Sequence, residues 1–369
     1  MRLIIGWNLV DKYAIDVRWM IGNVRGMGRY AQQLIAPIKD KCIGLAPRGI
    51  QKQDLPTISQ GKSFFPYWEQ IVMPKLAVER ADVLICPYNT GPLIKPEGVK
   101  LVVVVHDLIF MRTLKELPAS VSLYQTLGRF YRRLVVPRVL KQADILLTVS
   151  EFTKREIQER YNIGKDICVI PNAISSHWLE EKRLLIADRG NYIFTVAGEA
   201  PSKNVVRLIK AFSLAKKSLP TNMALKIAGI KPEHHAGFIK EAIACGVESS
   251  IDFLGFISES ELKKLYRQAR LFVFASLFEG FGIPLIEAMA SGTPICCSNS
   301  TSLPEVIGEC GILFDPLKIH EIAEAMTCLA LDDDKSERLI NEGRKRVKLY
   351  TEDRVNNLFA QFWEATNAK

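Results

Sequence analysis

Short runs of apolar residues recur along the chain, each followed by a stretch whose apolar positions have helical spacing. In the first half these runs cover residues 3–5, 83–86, 101–105, 145–149 and 168–170. In the second half they cover 193–197, 225–228, 251–254, 271–275, 295–297 and 312–314. Their apolar character is continuous rather than alternating, as expected of strands covered by helices on both faces. Strands alternating with helices predict a parallel α/β architecture. A polar, charged stretch between Ser175 and Asn191 separates the two series and reads as a linker. Two doubly wound, Rossmann-like domains are expected, facing each other across a cleft with ligands at the carboxyl ends of their strands. They occupy residues 1–175 and 176–350. Residues 351–369 form a final helix with Val355, Leu358, Phe359 and Phe362-Trp363 on one face, a candidate for crossing back onto the first domain.

The most informative stretch follows the run at 271–275. From Glu279 to Glu287 the chain reads E-G-F-G-I-P-L-I-E. Pro284 suits the first turn of a helix, where its missing N–H is no loss. Ser291-Gly292 ends that helix. Glu279 is therefore expected in a loop above a strand, and Glu287 in the first helical turn. Gly280 and Gly282, flanking Phe281, let the backbone approach a ligand closely, and the helix start at Ile283 offers free N–H donors. Carboxylates accept from sugar hydroxyls and backbone amides donate to phosphates, so an anionic ligand with hydroxyls would find both partners. A purely structural reading stands level: a glutamate in a first turn complements the helix dipole, and Gly-Phe-Gly makes a tight turn.

Three further pieces carry candidate chemistry. Gly198-Glu199-Ala200-Pro201-Ser202-Lys203-Asn204 lies between a strand and a helix. Ser202 is the expected N-cap, which puts Lys203 at the positive end of the helix, where a diphosphate is best held. Taken alone, Lys203 is more simply a solvated surface lysine. His106-Asp107 emerges directly from the run at 101–105, at a strand end where open α/β sheets place ligands. His106 there could polarise a hydroxyl, although a satisfied structural histidine and a cap by Asp107 are the plainer alternatives. Gly26-Met27-Gly28 opens a helix and makes an anion-friendly backbone nest. It lacks the third glycine of a dinucleotide fingerprint and is not tight against the first strand at 3–5.

Bulk properties narrow the class. The 369 residues suit about two domains, and 48% hydrophobic with 24% charged residues is ordinary globular material. No run of about 20 apolar residues is long enough to span a bilayer. The start of the chain is too quickly polar for a signal peptide. The 8 cysteines show no C-x-x-C pair, and Cys86, Cys168, Cys296 and Cys297 lie inside apolar runs. Buried thiols in a reducing cytoplasm are expected, without disulfides or zinc. A net charge of +9 calls for anionic partners. The basic residues are dispersed and no nucleic-acid motif is present, so nucleic acid is not expected as a partner.

Together these pieces resemble the retaining family 4 glycosyltransferases of the GT-B fold, over essentially the whole chain. Ala143-Asp144 with Thr148-Val149-Ser150-Glu151 resembles the family's segment ending the first domain. Val169-Ile170-Pro171-Asn172 is similar to its interdomain motif, and Phe253-Leu254-Gly255-Phe256 to its nucleoside-binding region. Thr301-Ser302-Leu303-Pro304-Glu305 and Gly311-Ile312-Leu313-Phe314-Asp315-Pro316 resemble its closing elements. The resemblance implies that Glu279 contacts the donor sugar, Glu287 the ribose and Lys203 the diphosphate. It implies that Gly26 and Gly28 approach the phosphates or sugar, that His106 lies beside the transferred sugar, and that Phe256 and Ile257 line the base pocket. The donor is a UDP- or GDP-linked sugar and the acceptor a glycan or lipid-linked oligosaccharide. No other cofactor is implied, and retention at the anomeric centre comes from the resemblance alone.

One departure stands out. The family often carries an arginine just after Gly198 or just before Lys203, where this chain has Glu199 and Ser202. Arg29 or another basic group would then help neutralise the diphosphate. The sequence offers no metal site: Asp332-Asp333-Asp334 reads as a solvated helix start, and His234-His235 has no partner cluster. A metal-independent transfer is expected. The segment from Leu123 to Lys141 mixes arginines with aromatics. It reads first as a crossover helix with a solvated basic face, and second as a contact with an anionic membrane on the cytoplasmic side. A sugar-nucleotide epimerase and a non-catalytic sugar-binding module remain the competing classes. A phosphorylase would need a pyridoxal-phosphate lysine site, for which the sequence gives no support.

Overall fold

Two parallel sheets organise the molecule. The computed structural model describes residues 12–367, apart from 23, 25, 51, 53, 114–115, 118–122 and 180–183. The first sheet holds β1 (Tyr13–Asp16), β2 (Cys42–Ala46), β3 (Thr57–Ser59), β4 (Val83–Cys86), β5 (Lys100–Val105), β6 (Ile145–Thr148) and β7 (Ile167–Val169). Their order is β3-β2-β1-β4-β5-β6-β7, and every pair is parallel. The second holds β8 (Gly190–Val196), β9 (Ala224–Ala228), β10 (Ile251–Gly255), β11 (Ala269–Phe274), β12 (Ile295–Ser298) and β13 (Ile312–Phe314). Its order is β10-β9-β8-β11-β12-β13, again all parallel.

Strand β5 shows why continuous apolar runs become central strands. Leu101 to Val105 are all buried, because the crossover helix Leu123–Gln142 covers one face with Val135, Val136, Val139 and Leu140. Each such side chain contributes about 1.5–3 kcal/mol by leaving water. In the second sheet Leu225, Ile227, Leu271 and Val273 pack on Leu208 and Phe212 of the helix Val205–Ala215.

The chain falls into two units: residues 1–111, 124–172 and 355–369, and residues 112–123 and 173–354. The last helix, Glu352–Asn367, starts in the second unit. In the first unit its Trp363 Nε1 donates to the Leu34 carbonyl at 2.7 Å, and Phe359 meets the Tyr30 ring edge-on.

All six strands expected in the second half are present. The first half differs more. Strands β1, β2 and β3 are additions to the sequence reading, and the strand expected at 3–5 lies outside the described residues. Strand β1 is short and ends on Asp16, β2 carries Gly44 at its centre, and β3 is a three-residue edge strand of Thr, Ile and Ser. None presents an apolar run long enough to register. All eight cysteines are free thiols, and Cys168 is only half-buried because it lies in the edge strand β7.

Candidate functional site

In the second sheet β8 to β10 run outward to one edge and β11 to β13 to the other, so strand order reverses between β8 and β11. Ligands of open α/β sheets bind at such a reversal, beyond the carboxyl ends. Lys203 follows β8 and Glu279 follows β11, and the structure brings them together: Nζ donates to Oε1 at 2.5 Å. Both side chains are largely but not fully sheltered. The pair therefore occupies the reversal point with its charges satisfied by each other.

A set of hydrogen bonds fixes the loops around this pair. Asn204 adopts a left-handed backbone (φ 59°), and its Nδ2 donates to the carbonyls of Ala275 (3.0 Å) and Pro316 (2.8 Å). One side chain thereby ties the ends of β8, β11 and β13 together. Leu277 N donates to Ser202 O at 2.7 Å. Thr301 Oγ1 accepts from Glu279 N at 3.1 Å, and Ser302 Oγ donates to the carbonyls of Glu279 and Phe281. Gly282 has φ 106°, a conformation side-chain-bearing residues rarely adopt, and a Cβ there would meet Leu303 Cδ2 at 2.7 Å. The turn that aims Glu279 thus depends on glycine at 282. Phe281 is buried, edge-on to Tyr350 at 5.5 Å.

Two local expectations are corrected. Ser202 is not the helix cap: it is buried in a tight turn, Pro201–Lys203, and the residue capping Val205–Ala215 is Asn204, without a side-chain cap bond. Lys203 accordingly sits two residues ahead of that helix, directly before its cap Asn204, rather than inside it. Glu287 is the fifth residue of the helix Ile283–Ala290, so it lies in the second turn rather than the first. It is buried and accepts from the Tyr266 hydroxyl at 3.0 Å. A helix-dipole role is thereby removed, because that field fades beyond the first turn. Phe256 and Ile257 follow Gly255 at the end of β10, and the Phe256 ring is exposed. Gly280 lies half-buried between Glu279 and Phe281.

Arg207 was missed by the sequence reading. Its Nη1 donates to Asn204 Oδ1 at 3.0 Å, which sets a second cation in the turn that carries Lys203. Spacing alone could have flagged it, since it lies four residues after the lysine at a helix start. Glu199 is half-buried in the same loop.

In the first unit, Gly26 and Gly28 both belong to the helix Gly26–Ile35. They open a helix rather than forming a nest. Gly28 is there for packing: a Cβ would sit 2.0 Å from the Trp19 carbonyl oxygen. Strand β1 ends at Asp16 and this helix opens at Gly26, so the glycine pair is not tight against β1 either. Arg29 is exposed on the same helix.

His106 caps β5 and is buried. Its backbone N donates to Asn89 Oδ1 at 2.6 Å, and its Nε2 lies 2.9 Å from the Pro87 carbonyl oxygen. A carbonyl only accepts, so Nε2 carries the proton and Nδ1 is left as the acceptor. Burial pushes the imidazole pKa down to about 4, against the opposing effect of the Pro87 bond. The ring is therefore neutral at pH 7, able to accept from a hydroxyl.

This depression has a thermodynamic consequence. A histidine that resists protonation when folded stabilises the fold above its unfolded value near 6.5 and loses that contribution as pH falls towards 4. The full gap corresponds to about 3 kcal/mol. Nearby, Glu69 works in the opposite direction: burial raises its carboxyl to about 7, against hydrogen bonds from Thr90 and Tyr131 and the Arg18 charge. The two effects partly cancel in the whole protein, so the variant comparison isolates the histidine. Between pH 7 and pH 5, His106→Asn should lose less unfolding free energy than wild type by about 2 kcal/mol in urea melts. Equal losses in both proteins would refute the neutral, buried imidazole.

Glu69 belongs to a polar cluster that the sequence did not reveal. Arg18 pairs through its guanidinium with Asp16 at the end of β1, lies 3.9 Å from Glu69, and stacks 4.4 Å from both the Phe65 and Trp68 rings. Thr90 and Tyr131 donate to Glu69 at 2.5 and 2.6 Å. Strand order in the first sheet reverses between β1 and β4, and this cluster lies beside that reversal. Residues scattered from 16 to 131 leave no local motif. Among the described residues, no group of three or more His, Cys, Asp or Glu side chains is arranged to hold a metal ion. Asp332 instead caps the helix Asp333–Arg346 by accepting from Lys335 N.

Comparison with known proteins places this geometry. The profile of glycosyl transferases group 1 matches residues 176–346, and that of Glycosyltransferase Family 4 matches residues 29–178. The O-antigen chain mannosyltransferase B of Escherichia coli is 30% identical over 223 residues, covering 58% of each chain. An MMP alpha-(1->4)-mannosyltransferase of Mycolicibacterium hassiacum is 28% identical over 214 residues, 57% of this chain and 51% of that protein. The chain thus spans little more than half the length of these curated relatives. HepE of Anabaena, solved with UDP and glucose, superposes with a TM-score of 0.72 at 16% identity, covering 96% of this chain and 99% of that one. That likeness establishes the fold class, GT-B. With contiguous profile matches from residue 29 to residue 346, the chain belongs to the group 1, family 4 glycosyltransferases.

Proposed function

We propose that this protein transfers a hexose from a nucleoside-diphosphate sugar to a glycan or lipid-linked oligosaccharide during polysaccharide biosynthesis. The observation that carries the reading is the Lys203–Glu279 pair at the strand reversal of the second sheet. Departure of the nucleoside diphosphate builds negative charge on phosphate oxygens. Lys203, assisted by Arg207, meets that charge, and Glu279 binds sugar hydroxyls. Glu287 accepts from the ribose hydroxyls, while Gly280, Phe281, Gly282 and Ile283 shape the loop and present amides. Phe256 and Ile257 flank the base. His106 accepts a sugar hydroxyl at Nδ1, and Gly26 and Gly28 supply amides at a helix start. The oxocarbenium-like sugar is helped by such oxygen and nitrogen acceptors. The transfer is retaining, uses no metal and takes place on the cytoplasmic side of the membrane. The curated relatives described above are named mannosyltransferases, which favours mannose as the sugar.

A thermal-shift panel of UDP, GDP, ADP and CMP sugars tests the donor assignment. One base should raise the melting temperature well above the others, since ligand at 100 times its Kd adds about 2.7 kcal/mol. Anomeric analysis of the product by NMR then checks retention. No shift and no turnover across the panel would end the proposal. Conversion of a nucleotide sugar with no acceptor present would replace it with epimerisation.

A further inference from the structure

Two helical segments of the first unit turn apolar side chains outward in helical register. Phe64, Tyr67 and Ile71 recur at intervals of three and four residues on the segment leading into Met73–Arg80. Leu127, Phe130 and Leu134 do the same on Leu123–Gln142. Relative exposures of all six lie between 44% and 74%. Single exposed apolar residues are ordinary, whereas six in two registers form the kind of patch that marks an interaction surface. The two segments meet: the Tyr131 hydroxyl donates to Glu69 and accepts from Gln70 Nε2 at 2.6 Å, and its ring lies edge-on to Phe65 at 5.2 Å.

Charge identifies the partner. Residues 123–142 contain Arg129, Arg132, Arg133, Arg138 and Lys141 and not a single Asp or Glu. The outward stripe continues into exposed Arg138 and Lys141, and Lys62 and Lys75 are exposed on the other segment. Of the acids there, Glu69 is buried and Glu79 lies at the far end of the second stripe. A second copy of the chain would bring cations against cations in a symmetric pairing. An anionic bilayer would instead meet the charges, and its interface would take the apolar side chains.

We propose that this face docks the protein onto an anionic membrane surface, with Leu127, Phe130 and Leu134 together with Phe64, Tyr67 and Ile71 entering the interface. Among the described residues no helix is long and apolar enough to cross a membrane; the contact proposed for this face is a peripheral one. The proposal does not depend on how the donor site is read. The basic face expected from the sequence is present, but its apolar half makes it more than a solvated surface.

Vesicle co-sedimentation of the full chain tests it. Wild type should bind vesicles of phosphatidylcholine mixed with phosphatidylglycerol, bind pure phosphatidylcholine far less, and lose binding as salt rises. Leu127→Glu with Leu134→Glu should lower binding at least about tenfold, and Arg138→Glu with Lys141→Glu about fivefold per charge removed. Both sites are exposed, so circular-dichroism melts should match wild type. If the leucine pair melts early, the charge pair carries the test. Absence of binding to mixed vesicles would overturn the proposal, as would binding unaffected by the charge pair. A dimer in sedimentation equilibrium that Leu134→Glu dissociates would assign the face to a second copy instead.

Discussion

Lys203→Ala should lower sugar transfer by about 10²- to 10³-fold, the range seen when one preorganised donor to a developing anion is removed. The expectation follows from place and charge together. The ammonium lies beyond the end of β8, at the reversal of strand order, held by the Glu279 carboxylate and 5.8 Å from the centre of the Phe274 ring. A charge-assisted bond to phosphate is worth about 1.5–3 kcal/mol, so affinity for the free nucleoside diphosphate should fall about ten- to hundredfold as well. Lys203→Arg should recover part of the loss, because it keeps the charge while altering its geometry. Arg207→Ala should cost less, since its guanidinium is already engaged with Asn204. Removing Lys203 also leaves Glu279 unpaired, so melting temperature must be measured beside activity. The proposal fails if Lys203→Ala transfers sugar at the wild-type rate, or if its entire defect follows from a lower melting temperature.

The sequence exposed most of this machinery, but unevenly. Strands buried on both faces leave a strong signal, and β4 to β13 all appear as apolar runs. Strands β1 to β3 do not, because they are short, interrupted by glycine or polar at the sheet edge. At the second sheet the glutamates, lysine and glycines stood out as motif residues. What holds them did not: Asn204 ties three strand ends together, and Thr301 and Ser302 grip the loop around Glu279 from more than 20 residues away. Ser and Asn are frequent caps and turn formers in any sequence, so a local reading assigned Ser202 the cap and overlooked Asn204. The Arg18–Glu69 cluster was equally hidden, since burial of ionisable groups is a property of packing rather than of spacing.

Glu279→Gln should separate two quantities that ordinarily fall together. In the resting protein the carboxylate neutralises Lys203, and a diphosphate can take the ammonium only by displacing it. The same carboxylate also repels an incoming phosphate across a few ångströms. Replacing it by the neutral amide removes both obstacles, so the sugar-free nucleoside diphosphate should bind about fivefold more tightly, the equivalent of about 1 kcal/mol for a partly screened ion pair. Transfer should nevertheless fall about 10²-fold, because the amide is a weaker acceptor for the sugar hydroxyls and offers no charge to the cationic sugar as the bond breaks. Calorimetric titration with the nucleoside diphosphate and a product assay on the same preparation measure the two effects independently. A structural role alone would weaken both. Opposite signs can arise only if Glu279 competes with the diphosphate for Lys203 at rest and turns to the sugar during transfer.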